Sequence, residues 1–286
     1  MPEQLTLAEG TTTHFPYLGE NEPALLKILR AAVVANPVML DRTLLNGSHY
    51  DTFLGGLNAG TMRLYLDVPV CRVLATQHKN FDSDASTWRA ALGALKGENN
   101  SHVKWDDRLL AYLESEIGEQ VFPCDAASNT LLTLDAWGGA VFCSNGAHRL
   151  IAGMAWLAAK HGDAGLLRKV RVTHYRLNEG MLRLMADAAR RGKSISFAGP
   201  TWKGRLVRIR GKFLTKYWFV DKGSDRPRSI RLAELRGLFG VAEAPGEKVN
   251  DGFIDFWPFP AELALALPDD GWLQEQLKAE RYAAVQ

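Results

Sequence analysis

Apolar positions along the chain fall into two rhythms, one of helical and one of strand period. Over Glu22–Asn36, Leu25, Leu26, Ile28, Leu29, Ala32 and Val33 recur at helical spacing, and Pro37 stops the pattern. Leu64, Leu66, Val68 and Val70 then alternate with Arg63, Tyr65, Asp67 and Pro69, which predicts a strand; its proline places it at a sheet edge or a strand end. Lys79–Lys104 is polar and predicts a loop with a short helix around Trp88–Leu95. Asp106–Ile117 predicts another helix, with Leu109, Leu110, Leu113 and Ile117 on one face and the two acids favouring its positive end.

Two strands around a Gly-Gly turn follow, Thr130–Trp137 and Ala140–Cys143, because glycine supplies the positive φ that a tight hairpin requires. Ala147–His161 reads as a helix with Leu150, Met154, Leu157 and Ala158 on its apolar stripe, closed by Gly162. Lys169–Arg176 alternates as a strand, and Asn178–Arg191 returns to helical spacing, ended by Gly192. From Ile195 to Val220 the pattern predicts twisted strands with basic residues between apolar ones. A helix is expected over Ser229–Phe239, a loop around Ala242–Asn250, and a last helix near Trp272–Ala283 capped by Asp269 or Asp270. Phe253, Phe256, Trp257 and Phe259 form an aromatic cluster among prolines, expected to close a core or an interface. His49 and His78 stand in polar surroundings and read as solvated loop histidines. His174 reads as a satisfied core or rim histidine.

Composition bounds this picture. The 286 residues are 47% hydrophobic and 23% charged, the balance of an ordinary globular chain of about two domains. No apolar run approaches the roughly 18 residues of a spanning helix, and the N-terminus lacks the basic and apolar regions of a signal peptide. A cytoplasmic protein with no membrane partner is therefore expected. Three cysteines, Cys71, Cys124 and Cys143, without a CxxC pair fit a reducing compartment and give no zinc site.

Charge changes the picture more. The net formal charge is +2, but Trp202–Arg236 carries eleven basic and three acidic residues, a local +8 against −6 for the remainder. Within it Lys203, Arg205, Arg208, Arg210, Lys212, Lys216, Arg226 and Arg228 interleave with Trp202, Phe213, Tyr217 and Trp218. Cations neutralise phosphates and aromatic rings stack on unpaired bases, so these residues are candidates for nucleic-acid contact. Arg208 and Arg210 would share one strand face, with Lys212 close by. No helix-turn-helix or zinc-finger pattern supports sequence-specific reading.

The second candidate is Ser144-Asn145-Gly146-Ala147-His148-Arg149, between a strand and a helix. Ser144 and Asn145 are good N-cap residues, Gly146 allows a sharp turn, and free N–H groups at a helix start favour an anion. Arg149 could add a bidentate fork to a phosphate, and His148 could donate to it or transfer a proton.

Strand, Gly-Gly turn, strand, Asn145-Gly146-Ala147-His148-Arg149, apolar helix, glycine and Val-rich strand resemble the core of the ParB/sulfiredoxin-like superfamily, which includes ParB-like nucleases and plasmid oncogenic-suppression proteins. The resemblance covers about residues 128–176. It implies an α/β (α+β) fold with a mixed sheet: residues 1–194 as the superfamily domain with an N-terminal helical elaboration, and 195–286 as a smaller basic, strand-rich module with a C-terminal helix. It also implies a bacterial or mobile-element DNA-associated protein with nuclease or nucleotide-hydrolysing activity, or, without catalysis, a module of a plasmid, phage or partition system. His148 and Arg149 would be its catalytic residues and a nucleoside triphosphate with magnesium its cofactor. Two alternatives are a non-catalytic nucleic-acid-binding module and a small-molecule kinase of the free-serine-kinase type. Sulfiredoxins carry a nucleophilic cysteine where this chain has Ala147, and kinase-like members carry an acid where it has Asn145. Sulfiredoxin chemistry is not expected, and phosphoryl transfer lacks its charged ligand.

Overall fold

The computed structural model describes residues 4–6, 12–14, 22–78, 81, 86–95, 105–118, 120–123, 131–199, 203–239, 254–278 and 282. Two short strands, β1 (Gln4–Thr6) and β2 (Thr12–His14), pair antiparallel. Helix α1 (Ala24–Ala35) buries Leu25, Ile28, Leu29 and Ala32 and ends at Asn36, whose φ of 44° breaks the helix before Pro37. After β3 (Leu45–Asn46) comes α2 (Ser48–Gly55), then the long β4 (Asn58–Pro69) and β5 (Val73–Thr76). Pro69 closes β4, which lies at a sheet edge, as its proline predicts. Helices α3 (Trp88–Ala94) and α4 (Arg108–Glu114) match the two short helices expected there; Thr87 Oγ1 caps α3 by accepting from Ala90 N–H at 3.1 Å.

The hairpin of β6 (Thr133–Trp137) and β7 (Ala140–Asn145) turns at Gly138 with φ 55° and feeds α5 (Ala147–His161). Then follow β8 (Leu166–Leu177), α6 (Glu179–Arg190), β9 (Ser194–Ala198), β10 (Gly204–Arg210) and β11 (Thr215–Asp221). The stretch expected as one helix from Ser229 instead begins with β12 (Arg228–Ile230) and becomes α7 (Leu232–Phe239), where Glu234 Oε1 accepts from Arg231 N–H at 3.2 Å. The aromatic–proline cluster is a strand, β13 (Phe256–Phe259). Pro258 is tolerated because β13 is an edge strand. Helices α8 (Ala261–Ala266) and α9 (Gly271–Leu277) finish the described chain; the expected loop around Ala242–Asn250, Cys124 and Phe253 lie outside the described residues.

The protein is mixed α/β with two main sheets. The first has order β3-β5-β7-β6-β8-β4. Its β3–β5, β5–β7 and β6–β8 pairs are parallel, and β6–β7 and β4–β8 are antiparallel. The second is antiparallel throughout, in order β12-β11-β10-β9-β13. On one face of the first sheet, Leu134, Val141 and Val172 meet Ile28, Leu92, Leu113, Leu150 and Met154 from α1, α3, α4 and α5. On the other, Phe142 and Trp137 join Phe53, Met181 and Leu263, and this core runs on into Phe197, Val207 and Phe259 of the second sheet. The chain changes sheet at β9, near the expected boundary, while the segments on either side share one core. No helix among the described residues is long and apolar enough to cross a membrane.

Candidate functional site

Parallel strands β5 and β7 end side by side, and Gln77 N–H donates to Cys143 O at 3.1 Å beyond their last pairing. This is the carboxyl edge of parallel strands, where α/β sheets open their ligand crevices. From it β7 turns into α5 through Gly146, whose φ is 89°. Two demands fix glycine here. The positive φ disfavours any side chain, and a Cβ would lie 2.9 Å from Arg149 Nε and 3.1 Å from its Nη2. Arg149 is thus folded back over the helix start rather than extended outward.

Its environment is the main finding at this site. Arg149 is only 5% exposed, among the core residues of the α1/α5 face. Its Cζ lies 4.9 Å from the centroid of the Phe122 ring, and Nη1 has no hydrogen-bond partner among the described residues. The Tyr112 hydroxyl faces the guanidinium: burial pushes its pKa upward, and the charge of Arg149 and a hydrogen bond with it act against that shift. A buried guanidinium without a carboxylate costs several kcal/mol unless something anionic reaches it. The first N–H groups of α5 have no intrahelical acceptor and carry the positive end of its dipole. His148 is half-buried. Its ring stands edge-on to His78 at 4.7 Å and to Phe81 at 5.2 Å. His78 is therefore part of the α5 site rather than of a solvated loop.

Ser144 and Asn145 do not cap α5 as expected. Gly146 holds the cap position, and no side chain there accepts from the helix. Asn145 Nδ2 donates to Leu131 O at 2.6 Å, which ties the amide to the preceding segment. Ser144 Oγ lies 3.2 Å from both Thr133 Oγ1 and Thr133 O, on the sheet face opposite α5. There it also meets Asp135, whose carboxyl is pushed up to about 6 by burial and by the charge of Asp51, against hydrogen bonds from Thr173 and Ser144. An anion is poorly placed beside two carboxylates, so Ser144 belongs to that cluster. Ala147 is buried and adds only its backbone N–H. Cys143 is core, with its thiol pushed up to about 12 by burial. His174 is not the satisfied histidine expected: it is buried, its Nδ1 has no partner among the described residues, and burial lowers its pKa.

The basic segment divides. Arg205 turns inward and donates to Thr52 O at 3.0 Å and Phe53 O at 3.3 Å, fastening β10 to α2. Arg208 donates to Ser196 Oγ at 3.0 Å and stacks 4.1 Å over the Phe256 ring. Arg228 pairs with Glu234 at 3.2 Å and Asp221 at 3.6 Å. Lys203 precedes β10, and Arg226 is exposed in the turn after β11. Arg210, Lys212 and Lys216 stay exposed at the far end of the β10–β11 hairpin. The expected row of Arg208, Arg210 and Lys212 on one face is broken, because Arg208 is engaged within the sheet. Trp202 lies outside the described residues.

Among the described residues, no three His, Cys, Asp or Glu side chains group as a metal site. With neutral Asn145 where an acid would stand and no carboxylate cluster among the described residues, the start of α5 does not fit a magnesium ion. Compared with known proteins, this chain matches no family model, no curated protein and no solved structure.

Proposed function

We propose that this chain is a DNA-associated protein that binds a phosphate group, from a nucleotide or from the DNA backbone, at the start of α5. One observation carries the reading: Arg149 is almost fully buried at a helix N-terminus, and among the described residues its Nη1 has no partner. A phosphate there would accept from the guanidinium and from the N–H groups of residues 147–149, satisfying the charge and the helix end together. The resemblance to ParB-like nucleases supports the same ligand class at the same residues. In hydrolysis, Arg149 would stabilise charge developing on the phosphate, and His148, set against His78, would move the proton.

A second reading, binding without turnover, is favoured by the position of Asp51 and Asp135 on the sheet face opposite α5, away from the phosphate position. Kinase activity is disfavoured because Asn145 is neutral where kinase-like members carry an acid, so it cannot supply the charge a magnesium site prefers. The test is to incubate the purified protein with DNA and with each nucleoside triphosphate, with and without magnesium, beside Arg149→Ala, following both thermal transitions as a folding control. Binding lost in the variant supports the site. Turnover in the wild type separates enzyme from module. Equal binding by a folded variant would refute the role of Arg149.

A further inference from the structure

The turn of the β10–β11 hairpin faces the C-terminal end of α6 across a groove of about 370 Å³. Four cations line it: Arg191 and Lys193 from the end of α6, and Lys212 and Lys216 from the hairpin. Its one acid, Asp187, is already paired with Arg190 at 2.8 Å. Two aromatic rings join them. Trp218 is half-buried in the wall, and Phe213 stands at the turn 90% exposed, with Lys212 Nζ 5.2 Å from its ring centroid. Covering so large an apolar ring with a ligand would be favourable. Arg191 and Lys193 lie outside the basic stretch of the sequence; the left-handed Gly192, φ 65°, turns the chain from α6 into β9 and sets them opposite the hairpin.

We propose that this groove binds single-stranded nucleic acid, with the four cations on the phosphates and Phe213 stacked on an unpaired base. The proposal rests on the nucleic-acid part of the proposed function and not on the α5 site. Charge complementarity selects a polyanion. The exposed ring selects among polyanions: a duplex keeps its base faces stacked and offers Phe213 nothing, whereas a single strand offers phosphates and π-faces together. A bilayer surface also combines anions with apolar matter, but these cations line a concave groove that a flat headgroup layer cannot enter.

The experiment uses the full chain and fluorescence anisotropy with a mixed-sequence single-stranded oligonucleotide, its duplex, and vesicles of phosphatidylserine and phosphatidylcholine. The single strand should bind more tightly than the duplex. Phe213→Ala, at a fully exposed position, should weaken single-strand binding about tenfold, the scale of one base–aromatic stack, and Phe213→Trp should restore it. Lys212→Glu with Lys216→Glu should flatten the salt dependence by about 0.7 in slope for each phosphate no longer neutralised. Equal affinity for duplex, an unchanged Phe213→Ala, or vesicle binding that Phe213→Ala abolishes would each overturn the proposal. If the wild type binds DNA while Phe213→Ala is unchanged, the groove fails and DNA association stands; if the wild type binds no DNA, both fail. Phe213→Ala should retain nucleotide binding.

Discussion

Replacing Arg149 by methionine separates the two consequences of its burial. Methionine fills most of the arginine stem's volume and removes the charge. In the ligand-free protein the guanidinium has lost its water. It gains about 2 kcal/mol from the Phe122 ring below it. Against this, Nη1 is an unsatisfied charged donor, which costs more than the roughly 1–3 kcal/mol of a neutral one. The penalty equals or exceeds the gain. Arg149→Met should therefore lie between unchanged and roughly 4 kcal/mol more stable, as when buried ionic groups give way to apolar ones. At roughly 2 °C per kcal/mol for a chain of this size, the ligand-free Tm rises by up to about 8 °C. The wild type should instead gain from ligand: at a hundred times Kd a phosphate compound adds about 2.7 kcal/mol, or roughly 5 °C, and the variant gains nothing. Scanning calorimetry with and without pyrophosphate or ATP reads both effects. A ligand-free Arg149→Met several kcal/mol less stable than wild type would mean that the charge is satisfied inside the protein, and the anion site would be refuted.

Two further changes test other parts of the structure. The Asp135 carboxyl, pushed up to about 6 from 3.8, holds its proton more tightly folded than unfolded, so stability is lost as pH rises between those values and is level above them. Asp135→Asn should remove that slope and stabilise the protein at neutral pH by roughly 1–2 kcal/mol after discounting for partial exposure; equal urea midpoints for the two proteins at neutral pH would contradict it. Phe53, on α2, has its ring centroid 5.0 Å from that of Phe197 and 5.7 Å from that of Phe259, joining the two sheets. Phe53→Ala should cost about 3–5 kcal/mol and shift one cooperative transition seen alike by circular dichroism and tryptophan fluorescence; two separated transitions would show that the sheets fold independently.

What could be read in the sequence follows how local its cause is. Helix α5 was legible because its stripe, its entering Gly146 and its closing Gly162 are all within the element. Strand β8 was legible because Val170, Val172 and His174 alternate without interruption. Helix α2 was not, although Tyr50, Phe53, Leu54 and Leu57 carry helical spacing, because Asn46, Ser48, His49 and Asp51 at its start read as a polar loop and the helix has only eight residues. Strand β13 was hidden by Pro258, which its edge position tolerates, and by Pro260 directly after it. The α5 site was legible as a motif and not as an environment: Phe122, Tyr112 and His78, which define what Arg149 and His148 can do, come from distant segments brought together only by the first core.

The basic segment shows the same limit and what lies beyond it. As sequence it is one run of eleven cations, but strand alternation and the second core sort them. Arg205 is turned inward to α2, Arg208 is held on Phe256 and Arg228 by two acids, and each of these contacts fixes the sheet. The cations left at the hairpin turn are joined by Arg191 and Lys193, which no window over the segment includes. Composition therefore located the basic stretch, while packing decided which of its cations remain exposed. Inside the protein the same sorting left the Arg149 guanidinium in the first core with no counter-charge among the described residues. Among the described residues, a chain of net charge +2 thus carries positive charge with no paired carboxylate at two places, one buried at the start of α5 and one open at the β10–β11 hairpin.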